Sequence, residues 1–503
     1  MPEDLNGRAA FSVRPAPLGE ERRVTSIKPA PPCTIVIFGA KGDLTKRLLM
    51  PAIYNLANGK LLDDKLKIIG LDHNDRTTDS WRTELNDALQ SFTKDAGAEF
   101  HPAKIDQGTW GWIARRLEYT IFDFEKAADY GKLKERLGSG NVIFYLAVAA
   151  RFFGTIAEQL GKAGLLEESD GAFRRLVIEK PFGSDLPSAQ ALNLRIRKAA
   201  REPQIYRIDH FLGKEPVQGI MPLRFSNGIF EPMWTHEHID SIQITAAETL
   251  GIEHRGKFYE ATGALRDMVP NHLFSLLTMV AMEQPGSFEA EAVRDEKVKL
   301  LDAIRPLAPG DAARGQYGAG AMNGSAVKAY RDEENVAADS RAETYAALRV
   351  HIDNPRWNGV PFYMRTGKRL ARHLTTIAIV FRKGNVFTLS IAPDQGFNAT
   401  FSAKERGPVL QTGVVCTGFA YKDFFEEPPA DGYETLLYHA MTGNTLLFQR
   451  EDMVDAGWAA VQPVLDAWGS SHDELLAYRP GSDGPDAAAT LLEQDGRRWL
   501  PLT

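Results

Sequence analysis

Two cysteines, Cys33 and Cys416, are all that 503 residues contain. That excludes a disulfide framework and a cysteine-based metal centre, and it suits a reducing, cytoplasmic setting. Long apolar runs are also missing. No uncharged stretch has the length to cross a bilayer, and the first residues carry Arg and Pro without the apolar core of a secretion signal. Nor is there a basic excess. Lys and Arg total 59 against 66 Asp and Glu, a formal charge of -7, which argues against a nucleic-acid or polyanion carrier. No metal-ligand cluster is visible along the chain, so no metal is expected.

What is there reads as a globular chain too long for one hydrophobic core, hence two domains. Residues 1–32 form a Pro-rich arm without apolar periodicity and are expected to be poorly ordered. Residues 33–38 (CTIVIF), 66–71, 141–148 and 175–178 are short, nearly continuous apolar runs, the mark of parallel strands buried on both faces. Helical spacing between them, at 44–56, 152–163 and 188–200, predicts a doubly wound Rossmann-like domain over 33–205. The second half alternates more clearly at 239–245, 345–352, 376–381 and 386–391. It predicts a domain over 206–503 with a large, mainly antiparallel sheet backed by helices. The fold class is therefore α/β plus α+β. Residues 310–325, rich in glycine, are expected to form a loop.

Gly39-x-x-Gly42-Asp43-Leu44 lies between the first strand and a helix, where a pyrophosphate can approach the backbone and meet helix N–H donors, with Lys41 alongside. The end of the second strand, Asp72-His73-Asn74-Asp75-Arg76, should touch the adenosine ribose. Asp72 suits the free 2'-hydroxyl of NAD, whereas the 2'-phosphate of NADP would need His73 or Arg76. Three further segments gather polar groups where apolar elements end. Lys180, in Glu179-Lys180-Pro181-Phe182-Gly183, sits at the carboxyl edge of a parallel strand, where ligands bind in such sheets. His210 and Lys214 flank a glycine turn and suit a phosphate dianion, with Asp209 able to orient an imidazole. Asp267 and His272 stand before a buried helix, where polar groups need a partner or a task.

Together the segments IVIFGAKGDLTKRLLMPAIYNL, VIEKPFGSDL, RIDHFLGKE, GALRDMVPNHL and GVPFYMRTGKRL resemble glucose-6-phosphate dehydrogenases in identity, order and separation. The resemblance implies oxidation of glucose 6-phosphate at C1 to 6-phosphogluconolactone, the entry to the oxidative pentose phosphate route, with hydride passing to NADP, or to NAD given Asp72. It implies that His272 is the general base and Asp209 its partner, that His210 and Lys214 hold the 6-phosphate, and that Glu248, Asp267 and Lys368 reach the sugar. Lys180 would sit between sugar and nicotinamide, Gly39, Lys41, Gly42, Asp43, Leu44 and His73 would contact the dinucleotide, and Pro181 would follow a cis peptide. A homodimer or homotetramer is implied as well.

Departures from the family pattern are Lys41 for serine, Asp72-His73 where NADP-specific members offer arginine, Ala149-Ala150 for two prolines, Phe211 for tyrosine and Pro270 for glutamine. Two rival readings are a dehydrogenase of another aldose phosphate and a non-catalytic sugar-phosphate sensor; intact His210, Lys214, His272 and Asp209 count against both.

Overall fold

The computed structural model describes residues 27–94, 100–425, 432–472 and 475–502. Four strands of its first sheet grow from the apolar runs read above, β1 (Thr34–Phe38), β2 (Lys67–Asp72), β4 (Val142–Leu146) and β5 (Arg174–Ile178), and two outside those runs, β3 (Leu117–Ile121) and β6 (Ile205–Ile208), join them. All six are parallel, in the order β6-β5-β4-β1-β2-β3. A seventh strand, β17 (Phe448–Gln449), arrives from far along the chain and pairs antiparallel with β6. Val36, Ile37, Phe38 and all of β4 are inaccessible or nearly so, which is why these runs are apolar on both faces. The strand order reverses between β1 and β4, and that switch point opens a crevice at their carboxyl ends.

The second sheet has nine strands: β7 (Ile239–Ala247), β8 (Ala312–Tyr317), β11 (Tyr345–Val350), β12 (Phe362–Gly367), β13 (Leu374–Phe381), β14 (Val386–Ala392), β15 (Gly396–Lys404), β16 (Thr412–Ala420) and β18 (Leu476–Tyr478). Their order is β16-β15-β14-β13-β7-β12-β11-β8-β18. Two pairs, β7 with β12 and β8 with β18, are parallel; the other pairs are antiparallel. A small hairpin, β9 (Gly320–Met322) and β10 (Ser325–Val327), stands apart. The buried helix Phe274–Ala281 packs against helix Ala290–Asp302 and the short helices after β6, and the long helix Glu451–Ser470 lies against helices Leu186–Ala199 and Ala290–Asp302, tying the two halves together.

Two sequence expectations are corrected here. The glycine-rich stretch 310–325 is not a loop: it carries β8, which pairs with both β11 and β18, and most of the hairpin. Gly315 is small because a Cβ there would lie 2.8 Å from the Leu476 carbonyl oxygen, so this glycine records a close strand approach rather than a turn. The arm is also docked where it is described. Across residues 27–32, Ala30 is buried, its N–H donates to the Leu61 carbonyl at 2.9 Å, and Tyr438 donates to the Lys28 carbonyl at 2.8 Å. Residues 1–26 lie outside the described residues.

No helix among the described residues is long and apolar enough to cross a membrane. Both cysteines are free, and burial pushes the Cys33 thiol up to about 12.

Candidate active site

The chain leaves β1 at Gly39 in a left-handed turn, φ +87°, pressed so closely on β4 that a Cβ would meet the Ala147 carbonyl oxygen. Gly42 follows, and Asp43 and Leu44 begin the helix behind the turn. Gly39, Lys41, Gly42, Asp72 and His73 line one cavity of about 560 Å3 at the switch point. Asp43 and Leu44 are not among its lining residues. Asp72 is buried at the end of β2, where it accepts the Lys41 backbone N–H at 3.1 Å and the Asn74 amide at 2.5 Å. Arg76, the candidate cation for a 2'-phosphate, is instead paired with Glu84 at 2.9 Å. His73 remains exposed.

At the edge of the same sheet, β6 ends and Asp209 caps a short helix, accepting the Phe211 N–H at 3.0 Å. Its partner is His272, Nδ1 to Oδ1 2.6 Å, with both side chains 1% exposed. His272 is held on a π-helical turn, Val269–Leu273, between helices Gly256–Met268 and Phe274–Ala281. That turn accommodates Pro270, which lacks the N–H that a continuous α-helix would use, so helix crosses the position without stopping. Phe211 stacks on the imidazole at 4.4 Å between centroids, and His210 meets it edge-on at 4.7 Å. The Lys214 ammonium lies 5.2 Å over the Phe211 ring.

Burial pushes the His272 imidazole below its usual range, with Lys180 adding to the fall and Asp209 opposing it. Burial lowers His210 still more, with neighbouring His272 adding to the shift. Burial alone would raise Asp209, but His272, His210 and Ser275 together keep its carboxyl well below the usual range. The base candidate is thus neutral and its partner ionised at neutral pH. Atoms of Asp209, His210 and His272 lie within 4.8 Å of one another, a spacing compatible with a metal, but the carboxylate oxygens already accept from His272, Phe211 and Ser275.

Lys180 follows β5 and precedes a cis peptide to Pro181. It donates to the Asp267 carboxylate at 2.8 Å and to its backbone carbonyl at 3.1 Å. Burial would raise Asp267, but Lys180, Lys368 and His272 hold it at about 2. Lys368 is buried after β12 and pairs with Glu248, which follows β7. The sugar-reaching candidates therefore enter as two ion pairs, each with polar atoms that a hydroxyl-rich ligand can share.

Sequence reasoning missed four participants. Ser275 donates to Asp209 Oδ2 at 2.5 Å and receives the Gln449 amide at 3.1 Å. Tyr145 donates to Glu179 at 2.5 Å, and burial pushes that carboxyl up to about 7 against the pull of Tyr145, Lys180 and Tyr433. A lone hydroxyl in the otherwise apolar stretch FSLL was the one available signal for Ser275, since buried polar groups are almost always partnered.

A buried imidazole paired with a carboxylate, and a cavity at the switch point of a parallel sheet, suit a nicotinamide-dependent oxidoreductase. The model of the glucose-6-phosphate dehydrogenase NAD binding domain matches residues 36–219, and that of the C-terminal domain of the same enzymes matches 221–500. A glucose-6-phosphate 1-dehydrogenase of Chlamydia pneumoniae is 40% identical over 95% of this chain and 98% of the relative. One from Aggregatibacter actinomycetemcomitans is 41% identical over 93% and 97%. The crystal structure of glucose-6-phosphate 1-dehydrogenase from Mycobacterium avium superposes with a TM-score of 0.81 at 36% identity, covering 94% of this chain and 100% of that one. A glucose-6-phosphate dehydrogenase in complex with its substrate glucose 6-phosphate gives 0.85 at 30% identity, covering 94% and 99%. The chain belongs to the glucose-6-phosphate dehydrogenase family and is a dehydrogenase that uses a nicotinamide cofactor.

Proposed function

We propose that the chain oxidises glucose 6-phosphate at C1 to 6-phosphogluconolactone, with His272 taking the C1 hydroxyl proton. The observation that carries this reading is the buried 2.6 Å contact between His272 and Asp209, next to His210 and Lys214. An ionised carboxylate only accepts, so Nδ1 carries the proton and Nε2 keeps the lone pair that serves as base. As the imidazole becomes charged, Asp209 stabilises it. His210 and Lys214 take the 6-phosphate; among the described residues no carboxylate is paired with Lys214, leaving its ammonium for an anion. Glu248, Asp267 and Lys368 receive the sugar hydroxyls, and Lys180 lies between sugar and cofactor. Residues 33–205 hold the dinucleotide through Gly39, Lys41, Gly42, Asp43, Leu44 and His73, and residues 206–503 hold the sugar. The nicotinamide, when bound, accepts the hydride from C1.

The charge at the ribose end supports NAD over NADP. Asp72 is buried at the end of β2, Asp123 and Glu125 line the same cavity, and Arg76 is taken up by Glu84, so the cations lining it or beside it, His73, Lys41 and Arg151, face three carboxylates. A 2'-phosphate dianion is repelled there, whereas a 2'-hydroxyl can donate. Initial rates with glucose 6-phosphate and each dinucleotide should give a kcat/KM for NAD equal to or above that for NADP. A preference for NADP of more than about tenfold, roughly 1.4 kcal/mol, would overturn the assignment to Asp72.

A cytoplasmic homodimer or homotetramer completes the reading. Its support is the outer edge of β16 and the adjoining loop, where Val414 is 78% and Leu410 81% exposed.

A further inference from the structure

We propose that Ser275 and Gln449 are positioning residues that set how strongly Asp209 supports the charge on His272. The proposal rests on the reading of His272 as base. Three elements converge on one carboxylate. Asp209 Oδ1 accepts from His272 Nδ1 at 2.6 Å and from the Phe211 N–H at 3.0 Å, and Oδ2 accepts from Ser275 Oγ at 2.5 Å. Ser275 is three residues beyond His272 on a continuous helical path, so both side chains reach the same face.

Gln449 is delivered by β17, whose register sets Phe448 against Ile208 and Gln449 against Arg207, just before Asp209. The Ser275 hydroxyl has one proton, and the carboxylate takes it. The Gln449 atom 3.1 Å from Oγ must therefore be the donor Nε2; the reverse orientation would oppose two acceptors. Gln449 thereby pins the hydroxyl so that its proton points at Asp209. Among the described residues no donor reaches Oε1 of Gln449, so the contact of its amide nitrogen with Ser275 is the one that holds the side chain. Asp209, His272, Ser275 and Gln449 are each no more than 4% exposed, so water cannot replace a lost contact.

A donor on Oδ2 spreads the carboxylate charge and moderates its pull on the imidazolium. Removing the Ser275 hydroxyl concentrates that charge and makes His272 easier to protonate. The other charged groups acting on the pair are His210, Lys180, Asp267, Glu179 and Lys297, with Lys214 acting through His210, and none is altered by the changes below.

The test is the pH profile of kcat/KM for glucose 6-phosphate in the full-length enzyme. In Ser275→Ala the acid limb should move up by about half to one pH unit, a fraction of the effect of a hydrogen bond to a charged group. Gln449→Met, of similar volume, should move it the same way by less. The double variant should shift no further than Ser275→Ala, because Gln449 acts through the serine. A limb that stays in place in either folded variant, or shifts that add, overturns the proposal. If Ser275→Ala does not fold, Gln449→Met decides alone. His272→Asn, measured alongside, separates the two levels: near-normal turnover there removes the base, and the relay with it. Collapse there with an unmoved limb in the other variants removes only the relay.

Discussion

Exchanging His272 for asparagine is expected to slow turnover by a factor of about a hundred or more while glucose 6-phosphate still binds. Asparagine can keep a polar contact to Asp209 but has no basic lone pair to take the C1 proton. The phosphate and sugar contacts come from other elements: His210 and Lys214 after β6, Lys180 after β5 and Lys368 after β12. KM should therefore change little, and the loss should fall on kcat, the signature of an interaction made in the transition state. Burial also keeps the imidazole neutral to a lower pH than an exposed histidine would be. Wild-type kcat/KM should fall only on the acid side of neutrality, and the variant should lose that limb. Steady-state kinetics across pH checks both statements; near-normal turnover would remove His272 from the chemistry.

The second large effect is expected at Lys214. Its ammonium is half-buried and rests over the Phe211 ring rather than against a carboxylate. A cation with no acidic partner among the described residues, at a partly desolvated site, suits a dianion, and a charge-assisted hydrogen bond of this kind contributes about 1.5–3 kcal/mol. Lys214→Ala should therefore raise KM for glucose 6-phosphate by about ten- to a hundredfold. Oxidation of free glucose, which brings no phosphate, should be almost unaffected. Measuring kcat/KM for both sugars in both proteins reads the effect directly, and equal losses would show that Lys214 shapes the site rather than binding phosphate.

Features encoded locally were legible in the sequence. Strands β1, β2, β4 and β5 announce themselves as apolar runs, whereas β3 and β6 do not, and Gly39 stands where the backbone needs a left-handed turn against β4. Lys180 follows β5 and Asp209 and His210 follow β6, so the parallel topology brings these three to one edge, where Asp267 and His272 meet them from a helix and the turn that follows it. What stayed hidden depends on contacts between distant segments. β17 is two residues long and has no periodicity to betray it, yet it carries Gln449 to Ser275. Gly315 looked like a loop glycine because sequence cannot distinguish a glycine required by a turn from one required by a neighbouring backbone. The pairing of Arg76 with Glu84 likewise removes a cation that sequence alone left available to the cofactor.

The most direct test of the central claim is to follow the hydrogen on C1. Glucose 6-phosphate deuterated at C1 should reduce the nicotinamide, pass its deuterium to the reduced cofactor and leave 6-phosphogluconolactone. Failure to reduce either NAD or NADP, or reduction with the deuterium retained in the sugar, would contradict the account.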